Sequence, residues 1–344
     1  MMDCPPDEVI ESHYVETLGG LFFAVKGLVH PPDRYLACLR YAPDPAGERH
    51  KDGLRYRRLY HFAEQEEWLR AHAPGCLAFE PSCQAILQSV PRANVARIHD
   101  PRRRLQELRA GPLHDPVIRD SIAFAGLLRQ AAGVPWEALG VSGSLLIGLH
   151  TPASDLDVTV YGAEDGRAVQ QALHRVLDAG TYPELRRLDA SGQRTLYAER
   201  VPDTRMAFED FVAVERDKIN QGQFGGRPYF LRFVPRPADV GESYGDRCYT
   251  PAGRAVIQAT VLDAREAVFT PCRYIVGDVT FLDGGPAPDL REIVSYRGRF
   301  CEQAQKGQLV RASGLLEKVE SRAAGCWHRL LLGNAADDTM LPRR

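Results

Sequence analysis

Apolar positions along this chain repeat with two different periods, and the switches between them outline its elements. Near the start the pattern is that of strands. Leu21 to Leu28 leaves a Gly19-Gly20 turn, Arg34 to Tyr41 follows His30-Pro31-Pro32-Asp33, and Leu54 to Tyr60 follows a loop rich in Asp, Gly and Lys from Asp44 to Gly53. Ala63 to Ala73 then turns helical, with Trp68 and Leu69 inward. Asp115 is a good N-cap and Pro116 suits a first helical position, so the spacing predicts a helix from Val117 to Ala132 that stops at Gly133. Its inner stripe is Ile118, Ile122, Ala125 and Leu128. A second amphipathic helix, Glu164 to Ala179, turns Val169, Leu173 and Val176 inward and stops at Gly180. Strands Trp136 to Val141 and Asp155 to Tyr161 lie between these helices, and Tyr229 to Val234 is a later one. From Arg254 onward the pattern returns to short strands at 255–262, 274–282, 292–296, 309–315 and 327–332. Five such runs predict a small barrel or sandwich, comparable to oligonucleotide-binding folds.

Asp100-Pro101 and the arginines at 102 to 104 mark a boundary, with Arg104 to Ala110 as a helical connector. The expected organisation is an N-terminal α+β domain at 1–105, a central domain at 106–250, a β-rich domain at 251–335 and a loosely ordered tail at 336–344.

The chemistry concentrates in Gly143 to Asp157, read Gly-Ser-Leu-Leu-Ile-Gly-Leu-His-Thr-Pro-Ala-Ser-Asp-Leu-Asp. Asp155 and Asp157 open a strand, and alternation turns both to one face while Leu156 and Val158 point to the core. Two carboxylates facing one point repel unless a cation lies between them, and hard oxygen ligands suit magnesium or manganese. Gly143 and Ser144 open a helical turn upstream, where a glycine lets backbone approach a ligand closely and free amides favour phosphate.

Gly143, Ser144, Gly148, Ser154, Asp155 and Asp157 resemble the Gly-Ser...Gly...Ser-Asp-x-Asp signature of the DNA polymerase beta-like nucleotidyltransferase superfamily. The spacing is most similar to minimal nucleotidyltransferases and archaeal CCA-adding enzymes, and the resemblance covers residues 110 to 240. It implies an α+β polymerase beta-like core flanked by the two outer domains. It also implies that Asp155 and Asp157 are catalytic and hold magnesium or manganese, and that Gly143, Ser144 and Ser154 contact the nucleotide phosphates. A third carboxylate should come from the 229–234 strand, where the central polar residue is Arg232. Glu209, Asp210, Asp239, Glu242 and Asp246 remain open as substitutes. Arg232 itself is expected to contact phosphate or to pair with Asp155 or Asp157.

Overall charge is near neutral, −2 with a pI of about 6.6, which excludes a protein that coats nucleic acid by bulk charge. A local patch survives this test: Lys218 to Arg236 holds Lys218, Arg227, Arg232 and Arg236 without an acid, suited to a triphosphate or a nucleic-acid acceptor. The Arg-Tyr-Arg-Arg run at 55–58 alternates as the solvated face of a strand does, a pattern that also suits a nucleic-acid backbone. No apolar run reaches the roughly 18 residues of a membrane span, and Met1 to Ile10 carries acids and prolines where a signal core would be apolar. A cytoplasmic protein with no membrane partner is expected. The eight cysteines form no Cys-x-x-Cys pair, which predicts buried or idle thiols.

The expected activity is metal-dependent transfer of a nucleoside monophosphate from a nucleoside triphosphate to a hydroxyl of RNA, protein or a small molecule, with macromolecular acceptors favoured by the flanking domains. The alternative is a catalytically weak or inactive protein of the same fold that binds nucleotide or nucleic acid.

Overall fold

The computed structural model describes residues 9–287 and 289–343; Cys4, and most of the stretch read for a signal core, lie outside them. Through Arg186 the chain runs β1 (Tyr14–Thr17), β2 (Phe22–Val25), β3 (Arg34–Pro43), β4 (Arg49–Lys51), β5 (Leu54–Arg58), α1 (Phe62–His72), β6 (Leu77–Glu80), β7 (Ala85–Pro91), β8 (Val95–His99), α2 (Pro101–Ala110), α3 (Pro116–Ala132), β9 (Leu139–Val141), α4 (Gly143–Leu146), β10 (Leu156–Tyr161), α5 (Ala163–Ala179) and β11 (Leu185–Arg186). Then follow α6 (Ala190–Arg200), α7 (Phe208–Glu215), β12 (Gln221–Phe224), β13 (Arg227–Val234), α8 (Pro237–Val240) and six strands, β14 (Arg247–Glu266), β15 (Cys272–Asp283), β16 (Leu290–Ser295), β17 (Leu309–Ser321), β18 (Gly325–Leu332) and β19 (Thr339–Pro342). The class is α+β with three sheets, as the periodicity predicts.

Two compact units emerge where the sequence suggests three domains. The first holds the chain up to Phe79, Ile86–Arg186 and Gln221–Tyr244; the second holds Glu80–Ala85, Arg187–Asn220 and the chain from Gly245. The two N-terminal segments coalesce because Tyr14, Phe22, Tyr41 and Tyr56 of the first sheet share one core with Leu146, Ile147 and Leu149 beyond β9. Each large apolar side chain fully buried there contributes about 1.5–3 kcal/mol, so seven of them bind the segments into one body.

Within this unit the first sheet runs β4-β5-β3-β2-β1-β8, with β7 also pairing to β3. A second sheet runs β11-β12-β13-β10-β9, in which β10 and β13 are parallel and their neighbours antiparallel. Helices α3 and α5 pack on each other and against β10. The cap reading holds for α3: the Asp115 side chain accepts from the amides of Val117 and Ile118, and Gly133 ends the helix at a left-handed φ of 71°. Its buried stripe, however, is Val117, Ser121, Phe124, Ala125, Leu127 and Leu128, while Ile118 and Ile122 are only half-buried. The helix is rotated because Phe124 packs against the rings of Phe224 and Tyr229, 5.2 and 4.6 Å away. The strand expected over 136–141 is shorter, since Trp136–Ala138 forms a 3-10 turn ahead of β9.

The second unit carries the five predicted strands as β14 to β18. Pairing passes from β14 through β15, β16, β18 and β17 and returns to β14, so the strands close a circuit, with β19 added beside β17. Ile257, Ala259, Val261, Tyr274, Ile293, Val310, Ala312 and Leu330 fill its core. Helices α6 and α7 belong to this unit. No disulfide joins any of the seven described cysteines to another. No described helix is long and apolar enough to cross a membrane.

Candidate functional site

Strand β10 places the two aspartates. Leu156, Val158 and Val160 are buried on one face, while Asp155, just before the strand, and Asp157 share the other. Asp155 is exposed and Asp157 half-buried. Although Asp155 stays accessible to water, the protein packed around it displaces solvent and raises its carboxyl above the usual range, with Arg58, Arg49 and Arg227 opposing. Asp157 is pushed up to about 6, first by burial and then by the like charge of Asp155, with Arg58, Arg232 and Arg40 pulling the other way.

The Gly-Ser turn lies against Asp157. Gly143 has a φ of 59°, and a Cβ there would collide with Asp157 Oδ2, lie 2.6 Å from its Cγ and 3.0 Å from its Cβ. Only glycine accommodates both the left-handed backbone and this approach. The amide of Ser142 donates to the Asp157 carbonyl at 2.8 Å, tying the turn to the strand. Ser144 is buried, and its Oγ donates to Ser154 Oγ at 3.2 Å. Ser154 already accepts from the Thr151 amide at 2.9 Å and from Arg49 Nη1 at 3.2 Å.

The connecting loop is held from two sides. Arg49 Nη1 also donates to the Leu149 carbonyl and the Thr151 hydroxyl, each at 3.3 Å, while Arg227 Nη1 donates to the carbonyls of Pro152 and Ser154 at 2.7 and 3.0 Å. Arg227 Nε reaches Asp120 at 3.3 Å.

Two expected residues have other partners. Arg232 lies opposite Thr159 in the β10/β13 register, two residues beyond the Asp157–Phe230 pair. Its Nη1 donates to Glu11 Oε1 at 2.6 Å; it does not pair with either aspartate, although its charge reaches Asp157. Glu11 is 1% exposed and also accepts from Lys26 Nζ at 2.7 Å and the Gly27 amide at 2.8 Å. A buried carboxylate needs such donors, and that demand claims Arg232. Lys218 belongs to the second unit, where its Nζ donates to Glu215 at 2.7 Å and to the Arg299 carbonyl at 2.6 Å. Its charge is thus met by partners within the second unit. The patch from 218 to 236 proves to be a β12–β13 hairpin turning at Gly225-Gly226, whose cations serve internal pairs, including Arg236 with Asp165 at 3.4 Å.

Sequence reasoning missed the arginines of the N-terminal sheet. Between β2 and β3, Phe22 pairs with Tyr41 and Phe23 with Leu39, which leaves Arg40 as the extra residue of a β-bulge. The bulge sends Leu39 into one core and Tyr41 into the other. Arg58, at the end of β5 and opposite Tyr41, falls in the 55–58 run whose alternation suits a solvated face and also a nucleic-acid backbone, and nothing in that run ties it to the aspartates. No local signal links either one to the aspartates, because what they face lies about a hundred residues further on.

No known protein family matches the chain, and no solved structure matches it. It is 26% identical over 332 residues to an uncharacterized protein of Methanocaldococcus jannaschii, in an alignment covering 94% of this chain and 95% of that one.

Proposed function

We propose that this protein transfers a nucleoside monophosphate from a nucleoside triphosphate to a hydroxyl acceptor, with magnesium or manganese held by Asp155 and Asp157. The observation that carries this reading is the seating of Asp157 on Gly143, which puts a side-chain-free turn against a carboxylate pair held together despite mutual repulsion. The order helix, strand, Gly-Ser turn, strand, helix supports a polymerase beta-like core. Among the described residues no third His, Cys, Asp or Glu joins the pair. Two hard carboxylates fit an ion that completes its shell with water and phosphate oxygens, as magnesium does. When bound, that ion would offset charge on the attacking and leaving oxygens. The chain's own residues do the rest: the Ser144 hydroxyl, which donates to Ser154 here, would turn its proton to a phosphate oxygen, Gly143 leaves room for it, and Arg49 and Arg227 keep the loop in place. RNA or protein is the acceptor we favour, in keeping with a second unit built on a strand circuit. A cytoplasmic location, where triphosphate donors are available, belongs to the same proposal.

Incubation with α-labelled nucleoside triphosphates, magnesium or manganese, and mixed RNA and protein acceptors tests it. Label should pass to an acceptor in the parent and fall by orders of magnitude in Asp155→Asn and Asp157→Asn. An Asp157→Asn protein as fast as the parent would sink the assignment. A second reading, a slow or inactive nucleotide binder, is favoured by one observation: the strand position for a third acid holds Arg232, which is spent on Glu11. Metal-dependent nucleotide binding without label transfer would select that reading.

A further inference from the structure

The cations around the aspartates do not balance within the protein. Arg232 is matched by Glu11 and Arg227 by Asp120. Arg40 and Arg58 are not matched: among the described residues neither guanidinium has a carboxylate at ion-pair distance. Both instead lie against Tyr60, 5.3 and 5.1 Å from its ring centre, and Arg40 Nη1 donates weakly to the Tyr60 carbonyl at 3.5 Å. The β-bulge extrudes Arg40, and Arg58 shares its strand face with Tyr56, which packs on Leu146, Ile147 and Leu149 beside the Gly-Ser turn. Arg49, on the adjoining strand, reaches the 149–154 loop directly. Once a divalent cation neutralises Asp155 and Asp157, this wall retains an excess of positive charge. An anion with several charges is the ligand that balances it, and guanidinium forks match phosphate oxygens two at a time.

We propose that Arg40 and Arg58, both carried by the N-terminal sheet, form an anion-binding wall that holds the polyphosphate of the donor beside Asp155 and Asp157. Its link to a nucleotide rests on the transfer reading above, but the wall can be tested without a nucleotide or a metal. The probe is inorganic tripolyphosphate, titrated calorimetrically into the whole protein in metal-free buffer. The parent should bind it. Arg40→Gln and Arg58→Gln should each weaken binding about tenfold or more, as loss of a charged hydrogen-bond donor does, and the double variant should abolish it. Arg40→Lys, which keeps the charge at the bulge but loses the fork, should bind more tightly than Arg40→Gln and more weakly than the parent, and melting curves report whether each variant is folded. Asp155→Asn should bind tripolyphosphate at least as tightly as the parent, because a like charge is removed. A parent that ignores tripolyphosphate, or a folded double variant that binds it like the parent, overturns the wall. Arginine-dependent binding in a protein that transfers no label supports the wall and defeats the transfer reading. Normal transfer in a double variant with unchanged binding does the reverse.

Discussion

Gly143→Ala separates two costs that the structure superimposes at one position. The first is backbone: an alanine held at a φ of 59° costs about 1–2 kcal/mol. The second is contact, because the new Cβ meets Asp157 Oδ2 and lies 2.6 Å from its Cγ, and overpacking of this kind costs about 1–3 kcal/mol. Together they predict a loss of about 2–5 kcal/mol. In an Asp157→Ala background the Oδ2 and Cγ collisions vanish and only a 3.0 Å Cβ contact remains, so the same substitution should cost about 1–2 kcal/mol. The coupling is then about 1–3 kcal/mol, large enough for a double-mutant cycle to resolve. Urea unfolding of the four proteins, read by tryptophan fluorescence, supplies the numbers. A Trp327→Phe background leaves Trp68 and Trp136, both in the first unit, as the reporters. If Gly143→Ala costs the same with and without the Asp157 side chain, the close approach is absent and the turn's glycine answers to backbone alone.

Asp157 should also impose a pH dependence on stability. The folded protein raises its carboxyl from 3.8 to about 6 and so binds that proton more tightly than the unfolded chain; the stability it lends is complete below 3.8 and lost as pH climbs through about 6. That span corresponds to about 3 kcal/mol, reduced to on the order of 2 kcal/mol by screening of a half-buried group, and Asp157→Asn should remove the slope and melt higher than the parent at pH 7. Arg49→Ala deletes three hydrogen bonds to the 149–154 loop and should lower stability by about 1–3 kcal/mol, with faster amide exchange across that loop. In the second unit Arg329 and Glu317 form a buried pair at 2.7 Å, so Arg329→Met should cost about 3–5 kcal/mol in chemical unfolding by stranding the carboxylate.

What could be read in the sequence and what could not divide along the range of the interactions. The caps of α3 depend on Asp115, Pro116 and Gly133 within one helix, and the same-face pairing of Asp155 and Asp157 depends on two residues of separation; local rules suffice for both. The five strands of the second unit were legible for the same reason, although their closure through β14 and β17 was not. Arg232 shows where such reasoning ends. Its strand and its face follow from alternation, but its partner, Glu11, is 221 residues away, and only the fold reveals a carboxylate buried deeply enough to claim it. Arg49 is similar, joined to Ser154 across 105 residues. Arg40 is harder still, because a one-residue bulge reverses which face its neighbours occupy and no alternation rule anticipates an inserted residue. The aspartates and the glycine turn are thus a local invention of one stretch of chain. Arg40, Arg49 and Arg58 come from a different sheet and Arg227 and Arg232 from a later strand, which explains why a motif confined to Gly143–Asp157 identifies the acidic half of the site and is silent about the basic half.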